Sequence, residues 1–537
     1  MQPFLLIGLS LLALWLVKQY VAWRRIISSV YNYPGLRVIF GPESFVFPFR
    51  IPYLAMGGMS LWTHKHKDFD TYNADIISSV NFWPTPKCTH FLADAEAIKE
   101  ITSARHRFPK PLQQYKVLTF YGSNIVVTEA DEWKRHRKIS APSFSERNNR
   151  LVWDESVRVV EELCHDVWSG KDVIELDNIV DLTVPVGHLI SSHSDDFSEV
   201  LHAKMALFII GVAGFGRRMS WKEEGTIPSG RSMTFKDALH IVSGNLALKV
   251  VFPTWLLKIA PFKIARKFNA AYIDLEQYMI QMVQERKIAE KKEERYDLFS
   301  SLLDANDVES DGTAKLSNSE VIGNIFVFLI AGHETTAHTL AYTFILLALY
   351  QDEQETLYQH IKNVIPDGHV ASYEDMGKLS YCLAVFYETL RLFPPVNGIP
   401  KSSGEDTTLR TRNMAGESIS VPCPAGTYLT IHTPALHYNP RYWEDPYAFK
   451  PARFMGDWPR DAFLPFSGGL RSCLGRRFSE TEAVAILAYM IARFRVDVKD
   501  EPQFAKETFE QRKERLLKSM SAITLYPVRA PLVFKRR

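Results

Sequence analysis

A cysteine lies in the glycine-rich segment PFSGGLRSCLG, residues 465–475. Its spacing, F-x-x-G-x-R-x-C-x-G, is formed by Phe466, Gly469, Arg471, Cys473 and Gly475. A lone cysteine is more often a small buried apolar residue than a ligand. Here the glycines permit a tight hairpin, Arg471 favours thiolate over thiol, and a predicted helix N-terminus follows Cys473. A soft anionic ligand in such a loop suits a haem iron.

Two polar residues interrupt an otherwise apolar helical segment. Glu334 and Thr335 lie in AGHETT, directly after IFVFLI. A carboxylate placed in such a helix costs several kcal/mol unless it is hydrogen-bonded, and Gly332 lets a ligand approach the backbone closely. The alternative is a helix kink in which one hydroxyl bonds back to a carbonyl.

A charged pair lies in the helical segment ETLR, where Glu388 and Arg391 are three residues apart and share a face. Such a pair is usually an exposed ion pair worth under about 1 kcal/mol. The apolar flanks LAVFY and LFPPV favour a buried pair instead. Arg453, in the segment WEDPYAFKPARF, is the candidate third member.

A basic helix in EWKRHRK places Trp133 and Arg137 four residues apart on one face. An aromatic ring and a cation on one face suit an anionic planar ligand. The alternative is an ordinary basic surface helix.

The elements that position these residues are mostly helical. Amphipathic patterns predict helices over 151–168 and 263–292, and a capping box of Ser317 and Glu320 opens a helix that runs to about Tyr350. Short β-like segments lie near 37–48, 77–93, 407–430 and 522–534. The pattern predicts a mainly α fold with a minor β portion, in a single large domain over 24–537.

Composition narrows the class of protein. The 537 residues carry a formal net charge of +2, which argues against nucleic acid as the main partner. The five cysteines are scattered and form no CxxC pair, which excludes a disulfide framework and a zinc ribbon.

The first residues predict a membrane anchor over 1–23. Residues 3–17 are uncharged and apolar, and Lys18, Arg24 and Arg25 follow, which places the rest of the chain on the cytoplasmic side. A cleaved signal peptide is disfavoured, because no basic stretch precedes the apolar run and no small-residue cleavage site follows it.

With these motifs in this order, the chain resembles a cytochrome P450, a haem-thiolate monooxygenase, over essentially all residues after the anchor. The style is that of membrane-anchored fungal microsomal members. The resemblance implies that Cys473 is the axial thiolate of haem b and that Phe466 packs by the haem edge. It further implies that Trp133, Arg137 and Arg471 meet the haem propionates. Glu388, Arg391 and Arg453 become a buried structural triad, and Glu334 and Thr335 a proton relay for O₂ activation.

The resemblance also implies partners. Electrons come from an NADPH-cytochrome P450 reductase, since the sequence has no dinucleotide fingerprint of its own. The reductase docks beside a set of basic residues, which could equally be plain solubilising charges. The set is Lys134, Arg135, Lys138, Arg476 and Arg477. The substrate is a lipophilic small molecule, hydroxylated or epoxidised in the endoplasmic reticulum membrane. It is a terpenoid-like secondary metabolite or a xenobiotic, and it enters past residues 250–262, which dip into the membrane interface.

The sequence departs from the family at two places. Lys401 stands where many members carry an arginine or histidine for a propionate, and the sequence leaves open whether Lys401 makes that contact. Residues 186–204 interrupt what is one helical stretch in relatives. They are a genuine insertion or an unspliced intron.

Two other functions share the fold. One is a haem-thiolate isomerase or dehydratase that acts without O₂ or a reductase, and the other is a non-catalytic haem-binding protein. The intact Glu334–Thr335 pair favours the monooxygenase, because this acid–alcohol pair is what O₂ activation needs.

Overall fold

The computed structural model describes most of the chain and confirms the predicted fold class. The described residues are 2–42, 44, 51, 53–183, 205–216, 221, 227–252, 254–259, 262–288, 297–308, 315–366, 371–413 and 416–537. The predicted insertion, 186–204, and part of the predicted membrane-dipping segment, 250–262, lie outside them. The structure is 56% helical and 14% strand, a mainly α fold with a minor β portion.

The chain divides into two compact units. The first comprises Met1–Pro111, Arg391–Ala448 and Trp458–Cys473, and the second Leu112–Leu390, Phe449–Asp457 and Leu474–Arg537. Both units are discontinuous in sequence, so neither is a separate segment of the chain.

The first unit contains most of the β structure. Its strands are β1 (Gly35–Phe40), β2 (Ile76–Trp83), β3 (Lys87–Leu92), β5 (Gly398–Ser402), β6 (Thr407–Arg412), β7 (Ser418–Cys423) and β8 (Tyr428–His432). Five of them form a sheet in the order β1-β2-β3-β8-β5, and β6 pairs antiparallel with β7. Its helices are Gln2–Ser29, Ser60–His64, Lys67–Tyr72, Ala95–Ser103 and Thr433–His437.

The N-terminal helix is long and apolar enough to cross a membrane from Phe4 to Ser29. It continues past residue 23, because its last turns pack on the sheet of the first unit. Gln19 Nε2 donates to the Pro84 carbonyl at 3.1 Å, and the Trp23 ring lies 6.4 Å from that of Phe82. The candidate membrane span and the turns that pack on the sheet therefore belong to one continuous helix.

The second unit contains most of the helices. The longer ones are Ala130–Ser140, Glu146–Glu162, Phe235–Gly244, Lys263–Ile288, Leu298–Val308, Asn318–Leu349, Gln351–Val364 and Arg476–Arg493. Ser380–Leu392 begins in this unit and ends at the boundary with the first. The shorter helices are Val180–Thr183, Met205–Ile209, Leu246–Val251, Thr254–Ile259 and Phe509–Leu516. Strands β4 (Val173–Leu176), β12 (Leu532–Arg536) and β9 (Phe494–Val498) form one sheet, in that order, and β10 (Ser519–Ser521) pairs with β11 (Leu525–Pro527).

The Asn318–Leu349 helix forms the core of the second unit. The predicted capping box is present, because the Ser317 side chain accepts from the Glu320 N–H and the Glu320 side chain accepts from the Ser317 N–H. Between Val321 and Ala348, every residue is buried except Ala331, Gly332 and Thr335. Ala331 and Thr335 are four residues apart and lie on one face, and Gly332 directly follows Ala331, so over this span the helix is open to a ligand at one turn only.

Candidate active site

Cys473 differs from the other cysteines in its accessibility. It is exposed, whereas Cys88, Cys164, Cys382 and Cys423 are buried. Burial raises the pKa of the Cys88 thiol to about 12 and the pKa values of Cys164 and Cys423 to about 11. These buried thiols stay protonated at neutral pH, because desolvation disfavours the thiolate. Cys473 is therefore the cysteine that a ligand can reach.

The loop before Cys473 depends on glycine at one position. Gly469 has φ +64°, and a Cβ there would lie 2.3 Å from the Thr102 carbonyl oxygen. The Ser472 N–H donates to the Gly469 carbonyl at 3.1 Å, and the Cys473 N–H donates to the Phe466 carbonyl at 2.9 Å. These bonds close the hairpin that the sequence predicts and fix the backbone from which the sulfur projects.

The residues flanking Cys473 lie as follows. Arg471 and Phe466 are partly buried within the same loop. Gly475 is the N-cap of the Arg476–Arg493 helix. The Gly475 carbonyl accepts from the Ser479 N–H at 2.9 Å. A helix begins immediately after the cysteine, as the sequence predicts.

Glu388 is fully buried and pairs with the segment around Arg453. Its Oε1 accepts from the Lys450 N–H at 2.9 Å and from Arg453 Nε at 3.1 Å. An exposed ion pair is excluded at this position, because the Glu388 side chain has no exposed surface. The pair ties the Ser380–Leu392 helix to the Pro451–Phe454 turn.

Arg391 is also fully buried, within the first unit. Its Nη1 donates to the carbonyls of His437 and Pro446, both at 2.8 Å, and its Nη2 to that of Ala448 at 3.1 Å. Its guanidinium lies 5.3 Å from the Trp443 ring centroid. Arg391 therefore joins the end of the Thr433–His437 helix to the irregular segment that contains Pro446 and Ala448.

Glu334 and Thr335 lie in the middle of the long helix, at the one turn there that is not fully buried. Glu334 is buried, and burial raises the pKa of its carboxyl, although hydrogen bonds from Ser243 and Thr524 act in the opposite direction. Thr335 is partly exposed, and its Oγ1 donates to the Ala331 carbonyl at 2.8 Å. The sequence left open a helix kink in which a hydroxyl bonds back to a carbonyl. That hydrogen bond is present, and the helix is continuous through this turn.

Trp133 and Arg137 lie on the Ala130–Ser140 helix. Trp133 is buried, and the Arg137 guanidinium carbon lies 5.7 Å from its ring centroid. The aromatic ring and the cation contact each other, as their spacing predicts. Lys401 is buried in β5, with only 3% of its surface exposed.

One polar network was missed from the sequence. Asn324 Oδ1 accepts from the Ile125 N–H, and its Nδ2 lies 2.9 Å from Nδ1 of the fully buried His136. The signal that could have found it is an asparagine within the apolar run before AGHETT. The network ties the long helix to the helix that carries Trp133 and Arg137.

Glu132, His136 and Glu320 have the composition of a metal site, with ligand atoms within 4.8 Å of one another. The hydrogen bonds of these side chains argue against a metal site. Asn324 Nδ2 donates to His136 Nδ1, so the other imidazole nitrogen carries the hydrogen and has no lone pair for a metal. Glu320 is already held by Arg135 and by the Ser317 N–H.

A sequence model described as Cytochrome P450 matches residues 42–520. The chain belongs to the cytochrome P450 family. A haem is the cofactor that this family implies. The residues fit such a group, because an exposed sulfur in a glycine-dependent loop is a soft anionic ligand of the kind that a haem iron takes.

Relatives support the same assignment. The chain is 68% identical over 537 residues, all of both chains, to cytochrome P450 monooxygenase 124 of Postia placenta. It is 30% identical over 451 residues to cytochrome P450 monooxygenase ORF6 of Penicillium roqueforti, covering 76% of this chain and 73% of that one. It is 31% identical over 306 residues to cyclooctat-9-en-7-ol 5-monooxygenase of Streptomyces melanosporofaciens, covering 56% and 61%. This cytochrome P450 is therefore an oxidoreductase that incorporates oxygen.

Proposed function

We propose that this cytochrome P450 inserts one oxygen atom of O₂ into a lipophilic small molecule, by hydroxylation or epoxidation. Haem b is held by Cys473, and electrons come from an NADPH-cytochrome P450 reductase. The observation that carries the proposal is the exposed Cys473 in a loop that only Gly469 permits, in a chain whose other cysteines are buried.

Cys473 is the metal ligand in this proposal. A bound haem would supply reductive O₂ activation, and Cys473 would hold it through a thiolate, the kind of ligand that favours O–O cleavage. The hairpin bond from the Cys473 N–H to the Phe466 carbonyl fixes the direction in which the sulfur leaves the backbone. Arg471 and the helix that begins after Gly475 favour the thiolate over the thiol.

Two cations and two aromatic side chains complete the cofactor-binding set. Trp133, Arg137 and Arg471 would hold the propionates of the haem, and Phe466 would pack beside the haem. Gly469 and Gly475 keep the loop close to the haem. The stacking of Arg137 on Trp133 supports this role, because a guanidinium already held by a ring loses less conformational freedom on binding a carboxylate.

Glu334 and Thr335 deliver protons. Burial raises the pKa of Glu334, which keeps a proton on the carboxyl closer to neutral pH than an exposed glutamate would. The Thr335 hydroxyl donates to Ala331, so its oxygen remains able to accept a hydrogen bond from water or ligand. The pair acts as a general acid at the one open turn of the helix.

Glu388, Arg391 and Arg453 are structural in this proposal and take no part in the chemistry. All three are largely or fully buried, and they donate to or accept from backbone and side-chain atoms of this chain. Such a charged pair is costly to break, because a buried charge is then left without its partner.

The reductase docks on the basic residues predicted from the sequence, several of which already pair with carboxylates of this chain. Lys134 pairs with Asp131, Arg135 with Glu320, and Arg476 with Glu480. Lys138 is exposed and Arg477 is half exposed, so an acidic partner could reach both side chains.

The enzyme lies in the endoplasmic reticulum membrane with its catalytic part in the cytoplasm. The Phe4–Ser29 helix supports an anchor, and the positive charges after its apolar run support the orientation. Trp255 and Phe262, 63% and 68% exposed, support a second contact with the membrane interface.

The substrate class is a terpenoid-like secondary metabolite or a xenobiotic. A relative is named for oxidising cyclooctat-9-en-7-ol, by its name an unsaturated alcohol, and the fungal relatives are named as monooxygenases. Entry from the membrane favours substrates with few polar groups.

The proposal is tested with microsomes that contain this protein and a reductase, fed a panel of lipophilic substrates under ¹⁸O₂. We expect an NADPH-dependent product that gains one labelled oxygen. A product that forms without label or without NADPH contradicts the proposal and identifies an isomerase or dehydratase. Microsomes carrying Cys473→Ser are the control and should form no product.

A further inference from the structure

The buried Glu334 carboxyl is contacted by a second element, remote in sequence. Thr524 Oγ1 lies 3.4 Å from Glu334 Oε2, a long hydrogen bond, and Thr524 is 3% exposed. Thr524 directly precedes β11. Because this bond joins residues 190 positions apart, the sequence pattern around AGHETT contains no sign of it.

Thr524 is itself held by a histidine from the long helix. His338 Nδ1 lies 2.8 Å from Thr524 Oγ1, and His338 follows Glu334 by one helical turn. The His338 side chain is 5% exposed, and its ring lies 5.5 Å from that of Tyr526 at an interplanar angle of 30°. The imidazole is therefore fixed both by packing and by a short hydrogen bond.

The direction of these bonds follows from the single hydrogen of a hydroxyl. Thr524 donates its hydrogen to Glu334 Oε2, so its oxygen must accept from His338 Nδ1–H. Burial lowers the pKa of His338 to about 3, which keeps the imidazole neutral with one N–H to donate. His338 thus orients the Thr524 hydroxyl toward Glu334.

We propose that Thr524 and His338 are positioning residues for Glu334: the imidazole orients the hydroxyl, and the hydroxyl fixes which carboxyl oxygen is the acceptor. When Glu334 is protonated, Oε2 is then the carbonyl oxygen and Oε1 carries the proton to be delivered. This inference rests on the proposed role of Glu334 as proton donor and adds the two residues that set its orientation.

Other groups contact Glu334 and must be separated from this effect. His333 lowers the pKa of the Glu334 carboxyl, and Tyr526 lies close enough for their charges to interact. Ser243, from the Phe235–Gly244 helix, supplies another hydrogen bond. The chain to His338 through Thr524 is distinct from these, because it alone gives the hydroxyl donor a fixed direction.

The test uses infrared spectroscopy of the purified full-length holoenzyme. The C=O stretch of protonated Glu334 is assigned as the band that Glu334→Gln abolishes. Thr524→Val removes the hydroxyl at nearly constant volume, and we expect the band to shift to higher wavenumber, because the carbonyl loses its donor. Thr524→Ser should restore the band, and His338→Phe should broaden it, because the hydroxyl is free to rotate.

A matched control comes from the same helix. Thr343 is buried, and its hydroxyl donates to the Thr339 carbonyl at 2.8 Å. Thr343→Val should leave the Glu334 band unchanged. A Thr524→Val band that does not move, or that moves no more than in the Thr343→Val variant, overturns the proposal.

The second readout is product formed per NADPH consumed. We expect Thr524→Val to lower this ratio about tenfold, which is less than the full contribution of a general acid, and Thr524→Ser to recover it. A shifted band with an unchanged ratio overturns the positioning role. If the wild type forms no labelled product, the proposed function fails, whereas the infrared band still decides whether Thr524 and His338 set the orientation of Glu334.

Discussion

At the scale of single residues, Gly469 and Cys473 form one unit of function. The positive φ of Gly469 and the approach of the Thr102 carbonyl are two separate reasons for glycine. Neither feature contacts the sulfur, but both determine the backbone conformation of the loop and therefore the position of Cys473. Substitution of Gly469 therefore tests the loop without removing the ligand.

We predict that Gly469→Ala loses most of its haem. An alanine at this positive φ costs about 1–2 kcal/mol. Its methyl group would also collide with the Thr102 carbonyl, a backbone group that cannot move aside as a flexible side chain can. The measurement is the ratio of bound haem to protein after purification.

Gly170→Ala is the control for that substitution. Gly170 has φ +71° and open space around the position of a Cβ, so it carries the conformational cost without the collision. It should retain haem. Equal haem content in the two variants would show that the contact with Thr102 is unimportant.

At the scale of elements, the sequence predicts local signals well and remote pairings poorly. The capping box located the start of the long helix, which ends at Leu349, one residue before the prediction. The pattern over 151–168 indicated a helix that begins earlier, at Glu146. Strands β4, β5 and β9 were missed, because β4 and β9 exist through pairing with β12 and β5 through pairing with β8.

The same division applies to the site. Cys473, Glu334 and Glu388 stand in motifs that are local in sequence. His136, Asn324, Thr524 and His338 were missed, because their partners lie far along the chain and burial selects them.

We predict that Glu320 stabilises the fold in a pH-dependent manner. Burial alone would raise the pKa of its carboxyl, but hydrogen bonds from Arg135 and Ser317 outweigh burial and lower it to about 2. A lowered folded-state pKa contributes stability that is complete above the unfolded value and is lost as pH falls toward the folded value. The window therefore runs from 4.5 down to about 2.

The measurement is the melting temperature of wild type and Glu320→Gln as a function of pH. The wild type should be the more stable at pH 7, and the difference should shrink as pH falls below about 4.5. A difference that stays constant over this range would assign the effect to packing instead of charge.

At the scale of the whole molecule, the N-terminal helix that is a candidate membrane span is also part of the first unit. Its exposed apolar start suits a bilayer, whereas Gln19, Trp23 and the buried Ile27 belong to the protein interior or pack on it. The apolar start of this helix and the first unit are therefore joined by continuous helix at residue 23.

We predict different results from two truncations. Removal of residues 2–17 should lower the fraction of protein retained in carbonate-washed membranes and leave the melting temperature nearly unchanged. Removal of residues 2–29 should also lower the melting temperature by several degrees, because it uncovers the sheet beneath Trp23 and Ile27. Equal melting temperatures for the two truncations would show that the helix does not stabilise the first unit.

The most direct measurement of the central claim is the absorption spectrum of the reduced protein with carbon monoxide. Wild type should give the red-shifted Soret band of a thiolate-ligated ferrous carbonyl, and Cys164→Ala, at a buried cysteine, should give the same band. Cys473→Ser should lose it. A wild type without this band, or a Cys473→Ser variant that keeps it, would contradict the assignment of Cys473 as the haem ligand.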